Sequence, residues 1–152
     1  MKKANNKGFS LVELVIVVAI LGVLAAITIN AYVSLVERAR LRADETHALN
    51  IKNALSVYIF ESNDTNVERL LAMGTGTSDV DKIISALQVV IYEKYGPYLE
   101  NVGGMPASAE DYNPRAKGKT GWFITIDTNT LSVSVVPTAE DDENNDLLKI
   151  IR

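Results

Sequence analysis

The sequence predicts an α+β protein in which one long N-terminal helix is followed by a small antiparallel β-sheet. An almost wholly apolar run extends from Phe9 to Ala31, and its only charged residue is Glu13. Apolar residues then recur at helical spacing to about residue 61, and no Pro or Gly occurs between Val23 and Ser62. A segment rich in aromatic and β-branched residues and a segment of period-two alternation, 131–136, flank a short turn within 121–136, which predicts a hairpin. One face of it, with Leu131, Val133 and Val135, is expected to pack on the long helix.

The apolar run is long enough to span a membrane. About 20 apolar residues are needed for a helix to cross the ~30 Å hydrocarbon core of a bilayer. Three basic residues precede the run, and they favour a cytoplasmic N-terminus: Lys2, Lys3 and Lys7. A cleaved secretory signal peptide is less consistent with the sequence, because the run exceeds the usual apolar region and no A-x-A-like site follows it.

Glu13 is the anomaly of the apolar run. An acidic side chain costs about 2.5 to 3.5 kcal/mol at mid-span and less near the end of a span. Some other group is therefore expected to compensate it, which makes Glu13 a candidate functional residue. The alternative is a carboxylate that reaches back to the lipid headgroups.

Residues Lys7 to Leu14, KGFSLVEL, resemble the processing signature of type IV pilins and type II secretion pseudopilins. This class III signal, the prepilin-type N-terminal methylation motif, combines a short basic leader, a Gly-Phe junction and a Glu at the fifth mature position. The resemblance covers roughly residues 4 to 36. It implies a type IV pilin-like fold, with half of the long helix transmembrane and half packed on a globular domain.

The resemblance assigns roles to individual residues. A prepilin peptidase would cleave between Gly8 and Phe9, Phe9 would be N-methylated, and Glu13 would pair with the Phe9 amino group of a neighbouring subunit. Such a pair offsets the cost of two charges in lipid. The resemblance also implies loosening of the helix between Gly22 and Asn30. Many pilins have Pro at the position of Asn30, however, and Asn does not have the ring that makes Pro clash with the preceding helical turn.

The predicted domain organisation has three parts. Residues 1–8 are a cleaved basic leader, 9–31 the transmembrane or filament-core half of the helix, and 32–152 an extracytoplasmic domain. Within that domain we expect a helix to about 61, a connecting region over 62–120, a hairpin over 121–136 and an acidic tail over 137–152. Shorter helices are predicted over 67–73 and 79–94, with Ser78 as the N-cap of the second. Pro137 is expected to end the hairpin, and any third strand is expected from the segment before Gly121.

Composition limits the classes of function. The chain has no Cys and a formal net charge of −4. The domain is therefore expected to be held by packing alone, and direct nucleic-acid binding is not expected. His47 is the only histidine, predicted to be solvent-exposed, and no catalytic constellation is recognisable. We expect a substrate of an enzyme rather than an enzyme.

The acidic tail offers weak candidate ligands for calcium, Asp141, Asp142 and Asp146. The resemblance raises this possibility because pseudopilins often bind calcium in a C-terminal loop, and carboxylates are suitable hard ligands. The run lacks the alternation of an EF-hand loop, so a solvated acidic connection is the favoured interpretation. No other cofactor is predicted.

The resemblance implies a structural subunit that polymerises through its N-terminal helix into a cell-surface filament for adhesion, motility or aggregation. The implied partners are other copies of the chain, prepilin peptidase, the pilus or secretion assembly machinery, and the lipid bilayer. The implied location is the cytoplasmic membrane, with the N-terminus inside, followed by an extracellular filament. Two alternatives remain open: a pseudopilin of a type II secretion or DNA-uptake machine, and a membrane-anchored domain that does not polymerise.

Overall fold

The computed structural model describes residues 10–101, 107–139, 141–143, 145 and 147–152. The α+β class is confirmed. The chain divides into two compact units, residues up to Arg38 and residues from Ala39 onward, and helix α1 contributes to both. In order, the elements are α1 (Leu11–Ser62), α2 (Glu68–Met73), α3 (Asp79–Leu87), a 3-10 turn (Glu110–Tyr112), β1 (Gly121–Asp127), β2 (Ser132–Thr138) and β3 (Leu147–Ile151).

The first unit is helical from Leu11 onward and has no core of its own in its described part. Every residue from Ser10 to Leu35 is exposed. By length and composition α1 qualifies as a membrane-spanning helix, with a mean hydropathy of 2.8 over its most apolar window. A helix that is apolar on all sides needs lipid or other apolar helices around it.

The second unit has one hydrophobic core. The part of α1 in this unit contributes one helical face of buried residues: Asp44, Ile51, Ala54, Leu55, Tyr58, Ile59 and Ser62. The apolar members belong to one cluster with Leu70 of α2, Ile83 of α3 and Trp122 of β1. Burial of this face stabilises the α1 segment, because an isolated helix gains little from propensity alone.

The sheet has the order β2-β1-β3 and is mixed rather than wholly antiparallel. Strand β2 pairs antiparallel with β1, with Gly121 opposite Thr138, whereas β3 pairs parallel with β1, with Phe123 opposite Leu147. The third strand comes from the apolar end of the tail, not from the segment before Gly121. Since β2 ends beside the start of β1, a short connection from there lets β3 run in the direction of β1.

Pro137 does not end the hairpin as expected, because it lies within β2 opposite Trp122. Strand β2 is an edge strand, where a residue without an N–H can be accommodated. Of the residues predicted to face the core, Val133 is buried and Val135 packs against the core, but Leu131 is exposed. Leu131 precedes β2 and has a φ of 52°, so it belongs to the turn.

Helix α3 begins as predicted but ends at Leu87 instead of near residue 94. At its start, the Ser78 hydroxyl accepts a hydrogen bond from the Asp81 N–H, and the Asp81 carboxylate accepts one from the Ser78 N–H. At its end, the Leu87 carbonyl accepts hydrogen bonds from the N–H groups of Tyr98 and Leu99, at 2.8 and 2.9 Å. The chain that returns to Leu87 replaces the continuation of the helix.

Two tyrosines near the end of α1 donate hydrogen bonds to carboxylates. The Tyr58 hydroxyl donates to Asp64 Oδ2 at 2.7 Å, and the Tyr98 hydroxyl donates to Glu61. Burial, followed by the Asp64 hydrogen bond, raises the pKa of Tyr58 above its ordinary value. Burial and then Glu61 raise the pKa of Tyr98 to about 12. Both phenols therefore ionise at a higher pH than an exposed tyrosine would.

These tyrosines predict a loss of stability at alkaline pH. A phenol with a pKa raised on folding stabilises the folded state below its unfolded pKa of about 10, and this contribution is lost as the pH rises toward 12. We expect the free energy of unfolding to fall over that window in urea titrations of the detergent-solubilised chain. The decline should be smaller in Tyr58→Phe/Tyr98→Phe and unchanged in the control Tyr92→Phe, since Tyr92 is exposed. An unchanged decline in the double variant would contradict the assignment.

Candidate functional site

The described N-terminal segment begins with a helix cap made by the signal sequence itself. The Ser10 hydroxyl accepts a hydrogen bond from the Val12 N–H at 3.3 Å, and Glu13 Oε2 accepts one from the Ser10 N–H at 2.9 Å. A Ser followed three residues later by Glu is the sequence signature of a capping box. This local role of Glu13 was not predicted from the sequence, although Ser10-Leu11-Val12-Glu13 matches the signature.

The chemical character of this segment is set by one charge among apolar neighbours. From Ser10 to Val36, Glu13 is the single charged residue, and it lies in the first turn of α1. A carboxylate there is favoured by the partial positive charge of the helix N-terminus. One Glu13 oxygen receives the Ser10 N–H, and a carboxylate can accept further hydrogen bonds or a cation. The geometry thus combines capping with the capacity to bind a positive group.

The other residues predicted in this segment are only partly placed by the structure. Gly8 and Phe9, the predicted cleavage junction, lie outside the described residues. Gly22 and Asn30 lie within the uninterrupted helix α1, and a Cβ added at Gly22 would meet nothing within 4 Å. Helix loosening between these two residues stays a prediction.

Two of the calcium candidates, Asp141 and Asp142, lie in a turn that follows β2. Asp141 and Asp142 are exposed, and Asp146 lies outside the described residues. The Asp142 N–H donates to the Ala139 carbonyl, and the Asn145 N–H donates to the Asp142 carbonyl. In the part of the chain that the structure describes, no group of three or more His, Cys, Asp or Glu residues is arranged to hold a metal ion. Calcium binding stays a prediction.

His47 is half-buried, so the expectation of a solvated residue is wrong. Its ring lies 5.3 Å from the ring of Tyr112, centroid to centroid, at an angle of 54°. His47 flanks the buried face of α1, and the 3-10 turn covers it. This burial gives the residue a packing role.

Asp44 is a buried carboxylate whose role was not predicted from the sequence. It is 1% exposed, and its two oxygens accept the backbone N–H groups of Arg115 and Ala116 at 2.7 and 2.8 Å. Asp44 thereby holds the segment that carries the basic patch of Arg115, Lys117 and Lys119. The signal was its spacing, because position 44 lies on the same helical face as Ala48 and Ile51.

The N-terminal segment is the part of the chain with the highest identity to known proteins. The family described as the prokaryotic N-terminal methylation motif matches residues 3–29. The chain is 45% identical over 58 residues to the fimbrial protein EcpC of Eikenella corrodens, and 46% identical over 51 residues to a fimbrial protein of Moraxella nonliquefaciens. These alignments cover 38% and 34% of this chain and only 38% and 33% of the relatives.

A third relative extends over nearly the whole chain. The type IV major alpha-pilin of Moraxella bovis is 27% identical over 146 residues, which are 96% of this chain and 76% of the relative. No solved structure matches the chain. The chain therefore carries the class III signal of type IV pilins, as the resemblance of residues 4 to 36 indicated. Over its N-terminal segment, and at lower identity over most of its length, the chain is similar to fimbrial proteins and a type IV pilin.

Proposed function

We propose that this chain is a type IV pilin, cleaved between Gly8 and Phe9, methylated at Phe9 and polymerised into a cell-surface filament. The observation that carries the proposal is the exposure of every residue from Ser10 to Leu35 in a helix with one charge. Exposure of so many apolar side chains to water is unfavourable. They are buried first in the lipid bilayer and then, in the filament, against the same helix of neighbouring copies. Each helix can transfer between the two because its backbone hydrogen bonds are internal.

Glu13 gives the polymer its register in this proposal. The carboxylate carries a charge that costs free energy in an apolar helix bundle. Cleavage before Phe9 creates a positive amino group, and pairing that group with Glu13 of another copy neutralises both charges. The cap on Ser10 orients the Glu13 carboxylate toward the N-terminal end of α1, the end at which this amino group would form.

Two substitutions separate pairing from capping at Glu13. Gln can cap a helix N-terminus as Glu does, but it carries no charge. We expect Glu13→Gln and Glu13→Ala both to reduce sheared filaments by ~100-fold or more, because breaking a buried ion pair costs about 3 to 5 kcal/mol. The control Glu68→Gln, at an exposed acid of α2 in the second unit, should leave yield unchanged. Normal filament yield from Glu13→Gln would show that capping alone is required.

The intact mass and N-terminal residue of sheared surface material test processing directly. Abundant chains that begin with methylated Phe9 would support a pilin of an extended fibre. Processed chains confined to the membrane fraction would instead favour a pseudopilin of a secretion or DNA-uptake machine. Chains that still begin at Met1 would overturn the processing proposal and favour a non-polymerising membrane-anchored domain.

A further inference from the structure

An apolar groove lies on the surface of the second unit between α1 and the edge strand β2. Its volume is about 340 Å³. A cavity of about 150 Å³ lined by apolar side chains is enough to hold benzene. The groove, called here the β2 groove, is lined by Glu45, Ala48, Leu49, Val135, Val136 and Pro137.

A projecting aromatic residue lies farther along the same helix. Phe60 is 84% exposed in the last turns of α1, and Val57, one turn earlier, is 45% exposed. Water-exposed aromatic side chains of this kind become the principal anchors of interfaces when a partner offers an apolar pocket. Phe60 does not reach the β2 groove of its own chain, since positions 49 and 60 are about 16 Å apart along α1.

We propose that Phe60 of one copy docks in the β2 groove of the next copy in the filament. The inference rests on the proposed function, because membrane insertion from one side makes the α1 helices of all copies parallel. A contact between one patch and a different patch of the next copy is heterologous, and repeated heterologous contacts build an open helical polymer. The β2 groove and Phe60 are such a pair of patches.

The charges along α1 fit the same stagger. If Phe60 of one helix lies opposite Leu49 of a parallel helix, Lys52 of the first lies beside position 41 of the second. Glu45 is one helical turn from position 41, about 6 Å, which the long Lys52 side chain spans. Lys52 and Glu45 are both exposed. Arg40 and Arg42, both exposed, flank position 41, so this register requires Lys52 to lie on the Glu45 side of that position.

Cysteine crosslinking tests the docking, because the natural chain contains no Cys. Sheared filaments of Phe60→Cys/Val136→Cys are treated with a short bismaleimide, since Cys is shorter than Phe. We expect a ladder of dimers and larger species, absent from either single variant. The control pair Phe60→Cys/Asn129→Cys uses an exposed residue in the turn between β1 and β2 and should give no ladder.

The outcomes distinguish this inference from the proposed function. Filaments without a ladder, or an equal ladder from the control pair, would overturn docking in the β2 groove alone. Absence of filaments from the wild-type chain would overturn both proposals. In the same assay, adding Lys52→Glu to the Phe60→Cys/Val136→Cys chain should lower the yield of crosslinked species about fivefold. This is the change expected when a surface ion pair that contributes ~1 kcal/mol is lost. Adding Glu45→Lys as well should restore it, and failure to restore would overturn the register.

Discussion

Replacement of Asp44 by Ala is expected to lower the free energy of unfolding of the second unit by about 3 kcal/mol. The carboxylate accepts two backbone N–H groups, those of Arg115 and Ala116, in a site where Asp44 is 1% exposed. Ala leaves these donors without their acceptor, and each buried unsatisfied donor costs about 1 to 3 kcal/mol. The segment that carries the basic patch should also detach from α1.

Two variants serve as controls for Asp44→Ala in urea unfolding followed by circular dichroism. Asp44→Asn keeps one carbonyl acceptor of similar shape and should lose less stability than Ala. Glu45→Ala removes the neighbouring exposed acid and should change stability by less than about 0.5 kcal/mol. Hydrogen exchange should be faster at the amides of Arg115 and Ala116 in Asp44→Ala. Equal stability of Asp44→Ala and Glu45→Ala would refute the role given to Asp44.

Replacement of Trp122 by Ala is expected to cost about 4 kcal/mol, the largest loss from a single side chain in the sheet. Trp122 is fully buried on β1, and its indole N–H donates to the Tyr112 carbonyl at 2.9 Å. The substitution opens a cavity in the core and leaves that carbonyl without its buried donor. Thermal unfolding should shift to a markedly lower temperature.

The same position separates packing from hydrogen bonding. Trp122→Phe retains an aromatic ring but removes the indole donor, so its loss should be smaller than that of Trp122→Ala. Phe123→Ala, at the half-buried neighbour on β1, is the matched control and should be milder than Trp122→Ala. A loss from Trp122→Ala no larger than that from Phe123→Ala would mean that the core does not depend on the indole.

Local pattern was enough to predict the elements whose signals are contained within a few neighbouring residues. The helical spacing from Leu35 to Ile59 predicted the long helix, and the alternation in 131–136 predicted β2. Ser78 was recognised as an N-cap because its capping partner, Asp81, is three residues away. The predicted end of α3 near residue 94 is wrong, because the helix ends where the N–H groups of Tyr98 and Leu99 donate hydrogen bonds to the Leu87 carbonyl. The parallel direction of β3 likewise depends on a long-range pairing.

The sequence by itself determined that this protein has a class III signal, a continuous apolar helix and one acid in its first turn. These properties are local, because each follows from residues within a few positions of one another. Only the tertiary structure decided that Asp44 is buried, that His47 packs on Tyr112 and that β3 completes a mixed sheet. Each depends on contacts between segments distant in the chain, and such contacts leave no fixed spacing in the sequence.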